Sequence, residues 1–213
     1  MSTRDSIEAA RAQFENETLD HRMTVLHDDG VYRHLRFAKP GTGMWSWSIV
    51  TWPGHLAVSG DIGDGWIFER ENDMLRFFSR NGHQAGINPS YWSEKLPTHL
   101  RDAAKHFSAQ RFEAAVRADV ESRDLTTEQK TLLLDALETN VFLGYDDLGW
   151  SLTAIEGSWM AAGVLVEFED MEHSDYDEWD HHFLLALFAI VYGVRAYREY
   201  EAAIEAARAP VAA

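Results

Sequence analysis

The chain has no cysteine among its 213 residues. A disulfide framework, a thiolate zinc site, an iron–sulfur cluster and a cysteine nucleophile are therefore excluded. Long apolar runs are missing as well. The longest, Phe183 to Val194, covers twelve residues. A bilayer-spanning helix needs roughly 18 or more, so this run reads as a buried helix and no membrane partner is expected. The first residues, MSTRDSIEAARAQFENE, contain no apolar core of a secretory signal, and a cytoplasmic location is the expectation. Nucleophile signatures are absent too: there is no G-x-S-x-G, S-x-x-K or H-E-x-x-H.

The most informative lack is of basic residues. Between Lys130 and Arg195 there are 64 residues without one Lys or Arg, and 13 Asp or Glu among them. From Asp124 to Asp180, 15 acids face a single base, a net of −14 in a chain whose total is −16. The acidity is thus local. A one-signed field of this kind attracts cationic partners and repels nucleic acid and anionic lipid. What the chain has in quantity is apolar and aromatic surface: 46% hydrophobic residues, with eight Trp and eleven Phe. That excludes a disordered chain and promises an aromatic core.

The periodicity reads strands first and helices after, which predicts an α+β fold. The expectation is one domain over 1–213, with an antiparallel meander at about 20–69 and a helical part at about 72–207. Asp5 to Asn16 reads as a helix capped by Ser6. His21–His27 and Val31–Phe37 flank the hairpin signal Asp28-Asp29-Gly30. Met44–Trp52 alternates as a strand, with Trp45, Trp47 and Ile49 on one face. Pro53-Gly54 and the run Gly60 to Gly65 are turns. Asn72 caps a helix through Arg80, and residues 83 to 98 are irregular. Further helices are predicted over His99–His106, Ala109–Ser122 and from Thr126 or Thr127 to Glu138, the last with Leu132, Leu133, Ala136 and Leu137 inward. Val164–Phe168 reads as an extended segment. A long helix runs from about Asp175 to Ala206.

Four constellations could carry chemistry. The first is acidic and histidine-rich, from Glu167 to His182. With a helix starting near Ser174, Asp177 and His181 fall at i and i+4 on one face, and His173 could close a divalent metal site from the loop before. Equally, Ser174 caps the helix and the acids favour its N-terminal dipole. No cofactor other than such a metal is expected. The second is Gly60-Asp61-Ile62-Gly63-Asp64-Gly65, where two aspartates repel phosphate; it reads as a hairpin turn or a weak calcium loop. The third is the histidine set His21, His27, His34, His55 and His83, with His21 and His27 on one strand face as a conceivable acid–base pair. The fourth is aromatic: Trp45, Trp47, Trp52, Trp66, Tyr91 and Trp92 either cover the sheet on both faces or form an interaction surface. Arg33, Arg36, Lys39, Arg70, Arg76 and Arg80 give residues 31 to 80 a net of about +1, too thin for a nucleic-acid groove.

The segment WPGHLAVSGDIGDGWIFER (Trp52 to Arg70), with DMLRFF (Asp73 to Phe78) and INPSYWSEKL (Ile87 to Leu96), resembles an uncharacterised family carried by bacteriophages and prophages. FLLALFAIVYGVRAY (Phe183 to Tyr197) resembles the end of the same family. No activity is established for that family, so the resemblance implies no catalytic residue. It implies an accessory gene product acting in a bacterial cytosol, in counter-defence or host takeover. The leading expectation is a non-enzymatic protein that binds a basic host protein by presenting carboxylates where phosphates normally sit. Its binding residues would be Glu169, Asp170, Glu172, Asp175, Asp177, Glu178 and Asp180. The alternatives are a metal-dependent enzyme using His173, Asp177 and His181, and an oligomeric assembly protein whose Phe183–Val194 helix forms a homodimer interface.

Overall fold

The computed structural model describes residues 3–81, 86–142, 155, 158–168 and 176–208. The fold is α+β, with an N-terminal antiparallel sheet and a long C-terminal helix. The chain packs as two compact units, Ser2–Ala104 with Trp179–Ala213, and Lys105–Glu178. Each has its own hydrophobic core.

In the first unit five strands form a meander in sequence order: β1 (Arg22–Asp29), β2 (Tyr32–Ala38), β3 (Trp47–Trp52), β4 (His55–Gly60) and β5 (Gly63–Glu69). Every neighbouring pair is antiparallel. Strict alternation buries one face, with Leu35, Phe37, Trp47, Ile49, Leu56, Val58, Trp66 and Phe68 pointing into the core. The β1–β2 turn is Gly30-Val31, and Gly30 takes a positive φ of 63°. Trp45 lies in the left-handed region (φ 57°) and breaks the expected strand before it starts. β3 therefore begins at Trp47, not Met44, and Trp45 lies outside the strand, partly buried against the same core. The cause is local. The Ser46 carbonyl accepts from the Asp61 N–H (2.9 Å), and a Cβ on Gly60 would sit 2.5 Å from that same oxygen. Only glycine lets the two loops approach so closely.

Three helices cover the buried face: α1 (Thr3–Glu17), α2 (Met74–Asn81) and, reached after the second unit, the long final helix α7 (His181–Arg208). Ser6 is buried inside α1 and does not cap it. Asp73, not Asn72, caps α2, its Oδ1 accepting from the Arg76 N–H at 3.1 Å. The stretch expected to be irregular holds α3 (Pro89–Ser93), capped by Asn88, which seats Trp92 fully inside the core. Next, α4 (Thr98–Ala103) stops short of the expected His106, because Lys105–Phe107 form strand β6.

The second unit contains α5 (Ala109–Ser122) and α6 (Thr127–Leu137), the latter started by a Thr126–Gln129 capping box. A π-helical turn over Glu138–Phe142 follows. β7 (Ser158–Ala161) and β8 (Val164–Glu167) form a hairpin through Ala162-Gly163, both at positive φ. β9 (Asp177–Trp179) pairs with β6. Phe112, Val116, Val120, Leu133, Leu137 and Phe142 build this core. Leu132 was expected inward but is 46% exposed. It lies one residue, about 100° of helix, from the Leu133–Leu137 stripe.

The final helix, α7 (His181–Arg208), begins six residues after the expected start, because Asp177–Trp179 are extended and Asp180 is the cap: its Oδ1 accepts from the Phe183 N–H at 2.8 Å. Residues Phe183 to Ile190 are all buried in the first core. That apolar run packs inside the chain's own core. Among the described residues no helix is long and apolar enough to cross a membrane.

Gly193 marks the tightest approach of α7 to the sheet. A Cβ there would lie 2.3 Å from Ile49 Cδ1 and 3.1 Å from Phe37 Cζ. Alanine improves helix propensity by about 1 kcal/mol, but overpacking a filled core costs about 1–3 kcal/mol, and the clash should win. Gly193→Ala is expected to lower the melting temperature. Adding Ile49→Val removes the obstructing methyl and should recover most of that loss relative to Ile49→Val alone. Thermal denaturation of the four proteins checks this, and additive losses would contradict it.

Candidate functional site

Of the residues expected to form an acidic or metal site, Asp177, Glu178, Asp180 and His181 lie among the described residues. Asp177 and Glu178 lie half-buried on β9. The Asp177 carbonyl accepts a hydrogen bond from the Arg111 guanidinium. Glu178 Oε1 lies 3.6 Å from His106 Nε2. Asp180 is committed to capping α7. His181 opens α7, with Nε2 2.8 Å from Gln13 Oε1. Burial, and then the neighbouring His182, lower its pKa, with Asp180 opposing them. The helix-face pairing of Asp177 with His181 does not exist, since Asp177 belongs to a strand. Among the described residues no group of three or more His, Asp or Glu could hold a metal ion. Glu169, Asp170, Glu172, His173 and Asp175 fall outside the described residues, as does His83.

The other sequence candidates become structural elements. Gly60 pairs with Gly63, so the glycine-rich run is a tight turn over Asp61-Ile62. Ile62 is fully buried and ties this turn to the core. His21 precedes β1, and a bulge between Val25 and His27 breaks the strand period; the two do not share a face as expected. His21 is buried, stacks on Trp47 at 5.5 Å and reaches the Trp45 carbonyl at 3.1 Å. His34 Nε2 lies 3.4 Å from Ser48 Oγ. His55 stacks on Trp52 on the outer face of the sheet at 4.8 Å. Trp47, Trp66 and Trp92 are core residues.

The site that does form was not foreseen. Arg33 sits on the buried face of β2 and is only 9% exposed. Its two terminal nitrogens donate to the two carboxylate oxygens of Asp73 at 3.1 and 3.0 Å. Its Nε donates to Tyr197 Oη at 3.1 Å, and Tyr197 donates in turn to Asp28 Oδ1 at 2.9 Å. The guanidinium also lies over the Tyr197 ring, 5.1 Å from its centre. Four elements meet here: β1 through Asp28, β2 through Arg33, the start of α2 through Asp73, and α7 through Tyr197. Burial works against the Arg33 charge, but hydrogen bonds to Asp73 and Tyr197 outweigh it and its pKa lies above the usual value. Burial pushes the Tyr197 phenol up to about 12, with the Arg33 hydrogen bond opposing and the Asp28 bond reinforcing. The phenol is therefore a donor at every physiological pH and no base. No sequence signal links these residues, which are separated by up to 169 positions.

The acidic surplus has a definite address. Residues 105–178 hold 17 acids and five bases, a net of −12 out of the chain's −16. Three of the five bases pair with acids of the same unit. Arg117 pairs with Glu113 and Glu138, Arg123 with Asp119, and Lys130 with Glu121. Among the described residues, the side chains of Asp124, Glu128 and Asp135 are exposed and make no ion pair. No protein-family model, curated protein or solved structure matches the chain.

The raised phenol pKa has a consequence for stability. The folded state holds the Tyr197 proton more tightly than an unfolded chain with a pKa near 10. This contribution is complete below pH 10 and is lost as pH rises through about 12. Tyr197→Phe should cost about 1–2 kcal/mol at neutral pH and lose stability less steeply than wild type between those limits. Melting temperatures across that pH range measure the difference, and parallel curves would refute it.

Proposed function

We propose that the protein is an acidic docking protein whose Lys105–Glu178 unit binds a basic surface on another protein. One observation carries the reading: this unit's net of −12 survives the internal pairing of Arg117, Arg123 and Lys130. A partner therefore meets carboxylates that have no competing cation beside them. Asp124, Glu128 and Asp135 are such groups, and the sequence adds Glu169, Asp170, Glu172 and Asp175. Basic grooves that accept polyanions respond to any polyanion of matching spacing. The same field disfavours direct binding of nucleic acid. The resemblance to phage-carried proteins makes a nucleic-acid-binding or immune protein of the bacterial host the partner class, with host takeover or counter-defence as the role. Asp177, Glu178 and Asp180 are assigned lesser parts, because they are half-buried and Asp180 caps a helix.

Affinity capture from bacterial lysate with the full chain tests this. The wild type should retain one dominant basic protein at low salt and release it as salt rises through the range where surface charges are screened. Two variants separate the surfaces: Asp124→Asn with Glu128→Gln and Asp135→Asn, and Glu169→Gln with Asp170→Asn, Glu172→Gln and Asp175→Asn. At least one should weaken capture by roughly tenfold or more, the equivalent of about 1.4 kcal/mol. Capture that ignores both salt and charge removal, or no basic protein at all, would reject the proposal.

A further inference from the structure

Beside the Arg33–Asp73 pair lies a cleft of about 410 Å³ in the first unit. Such a volume lies within the range of small-molecule sites, about 300–1,000 Å³. Its sign is opposite to that of the chain. Four arginines, Arg33, Arg76, Arg80 and Arg198, line it, against two acids, Asp73 and Glu201. Arg33 is neutralised by Asp73, and Arg80 pairs with Glu71. Among the described residues, the guanidinium groups of Arg76 and Arg198 have neither an ion pair nor a hydrogen bond, and both residues are exposed. They come from different walls, Arg76 from α2 and Arg198 from α7. Ser79 adds a hydroxyl donor to the lining.

The geometry points to a binding site for a phosphate ester of sugar-phosphate or nucleoside-monophosphate size. Two unpaired forks on separate walls suit a tetrahedral dianion, which accepts hydrogen bonds from several directions. A carboxylate is satisfied by one planar fork. Glu201 has a place in the same scheme, since its carboxylate accepts from a hydroxyl and repels a bare anion. That combination favours an ester carrying hydroxyl groups over inorganic phosphate. The walls are fixed before any ligand arrives, because the Arg33–Asp73 fork and the Tyr197 hydrogen bonds hold α2 and α7 to the sheet. Preformed walls lower the ordering cost of binding.

The test is calorimetric titration and thermal shift of the full chain with AMP, glucose 6-phosphate, inorganic phosphate and a single-stranded oligonucleotide. At least one ester should bind saturably and raise the melting temperature, more tightly than inorganic phosphate. Arg76→Gln with Arg198→Gln should weaken that binding at least about tenfold, as expected for lost charge-assisted hydrogen bonds, while the ligand-free melting temperature stays near wild type. Glu201→Gln should narrow the gap between the ester and inorganic phosphate. The proposal is overturned by no saturable binding, by undiminished binding in the double arginine variant, by equal affinity for inorganic phosphate, or by tighter binding of the oligonucleotide than of either ester.

Discussion

The Arg33–Asp73 fork is the interaction around which the first unit is organised. It places a charge on the face of β2 that otherwise carries Leu35 and Phe37. Desolvating that charge is expensive, and its cost is offset only when both terminal nitrogens meet a carboxylate in good geometry. Asp73 can do this because it sits at the first turn of α2, where its Oδ1 also accepts from the Arg76 N–H. One carboxylate therefore fixes the helix start and the sheet's charged residue together. Tyr197 adds α7 to the same assembly, and Asp28 adds β1. Hydrophobic burial is non-directional; these bonds help select one register among the ways an apolar helix could lie on an apolar sheet.

The helix that lies there is set by a second, steric constraint. α7 passes Ile49 and Phe37 so closely at Gly193 that no side chain fits between. Phe14, Phe37, Trp47 and Tyr192 pack as a ring cluster nearby, with Phe37 stacked on Trp47 at 4.7 Å and Tyr192 edge-on to both. Tyr192 also donates to the His21 carbonyl at 2.9 Å. Close approach at a glycine and polar ties at Tyr192 and Tyr197 act on the same stretch of helix. The position of α7 thus follows from the sheet rather than from its own propensity.

Much of this was legible in the chain. Alternation over Trp47–Trp52, Gly30 at a turn, and the spacing of Phe112, Val116 and Val120 are local patterns, and local patterns specify local elements. The glycine inside AIVYGVRAY was also a readable sign of close packing. What the sequence hid were decisions made by distant partners. Trp45 left the strand because the Gly60 loop claims the Ser46 carbonyl. Residues 177–179 left the helix because β6 offered a pairing strand. The arginine site was hidden for the same reason. Arg33, Arg76 and Arg80 were visible as a weak basic excess, but averaging over residues 31–80 cancelled them against acids that the fold pairs selectively. Arg198 and Tyr197 come from the other end of the chain.

That cancellation shows why net charge is a poor guide to what a partner meets. A charge held in an internal pair projects little beyond its own neighbourhood, whereas an unpaired one keeps its full field. In the Lys105–Glu178 unit internal pairs take up three of the five cations, and what is left unpaired at Asp124, Glu128 and Asp135 is acidic. In the cleft beside Arg33 the pairs consume the acids Asp73 and Glu71, and the residue is basic, at Arg76 and Arg198. One chain with a net of −16 can therefore present surfaces of both signs. The sign of each surface is set by which partners the fold has already used.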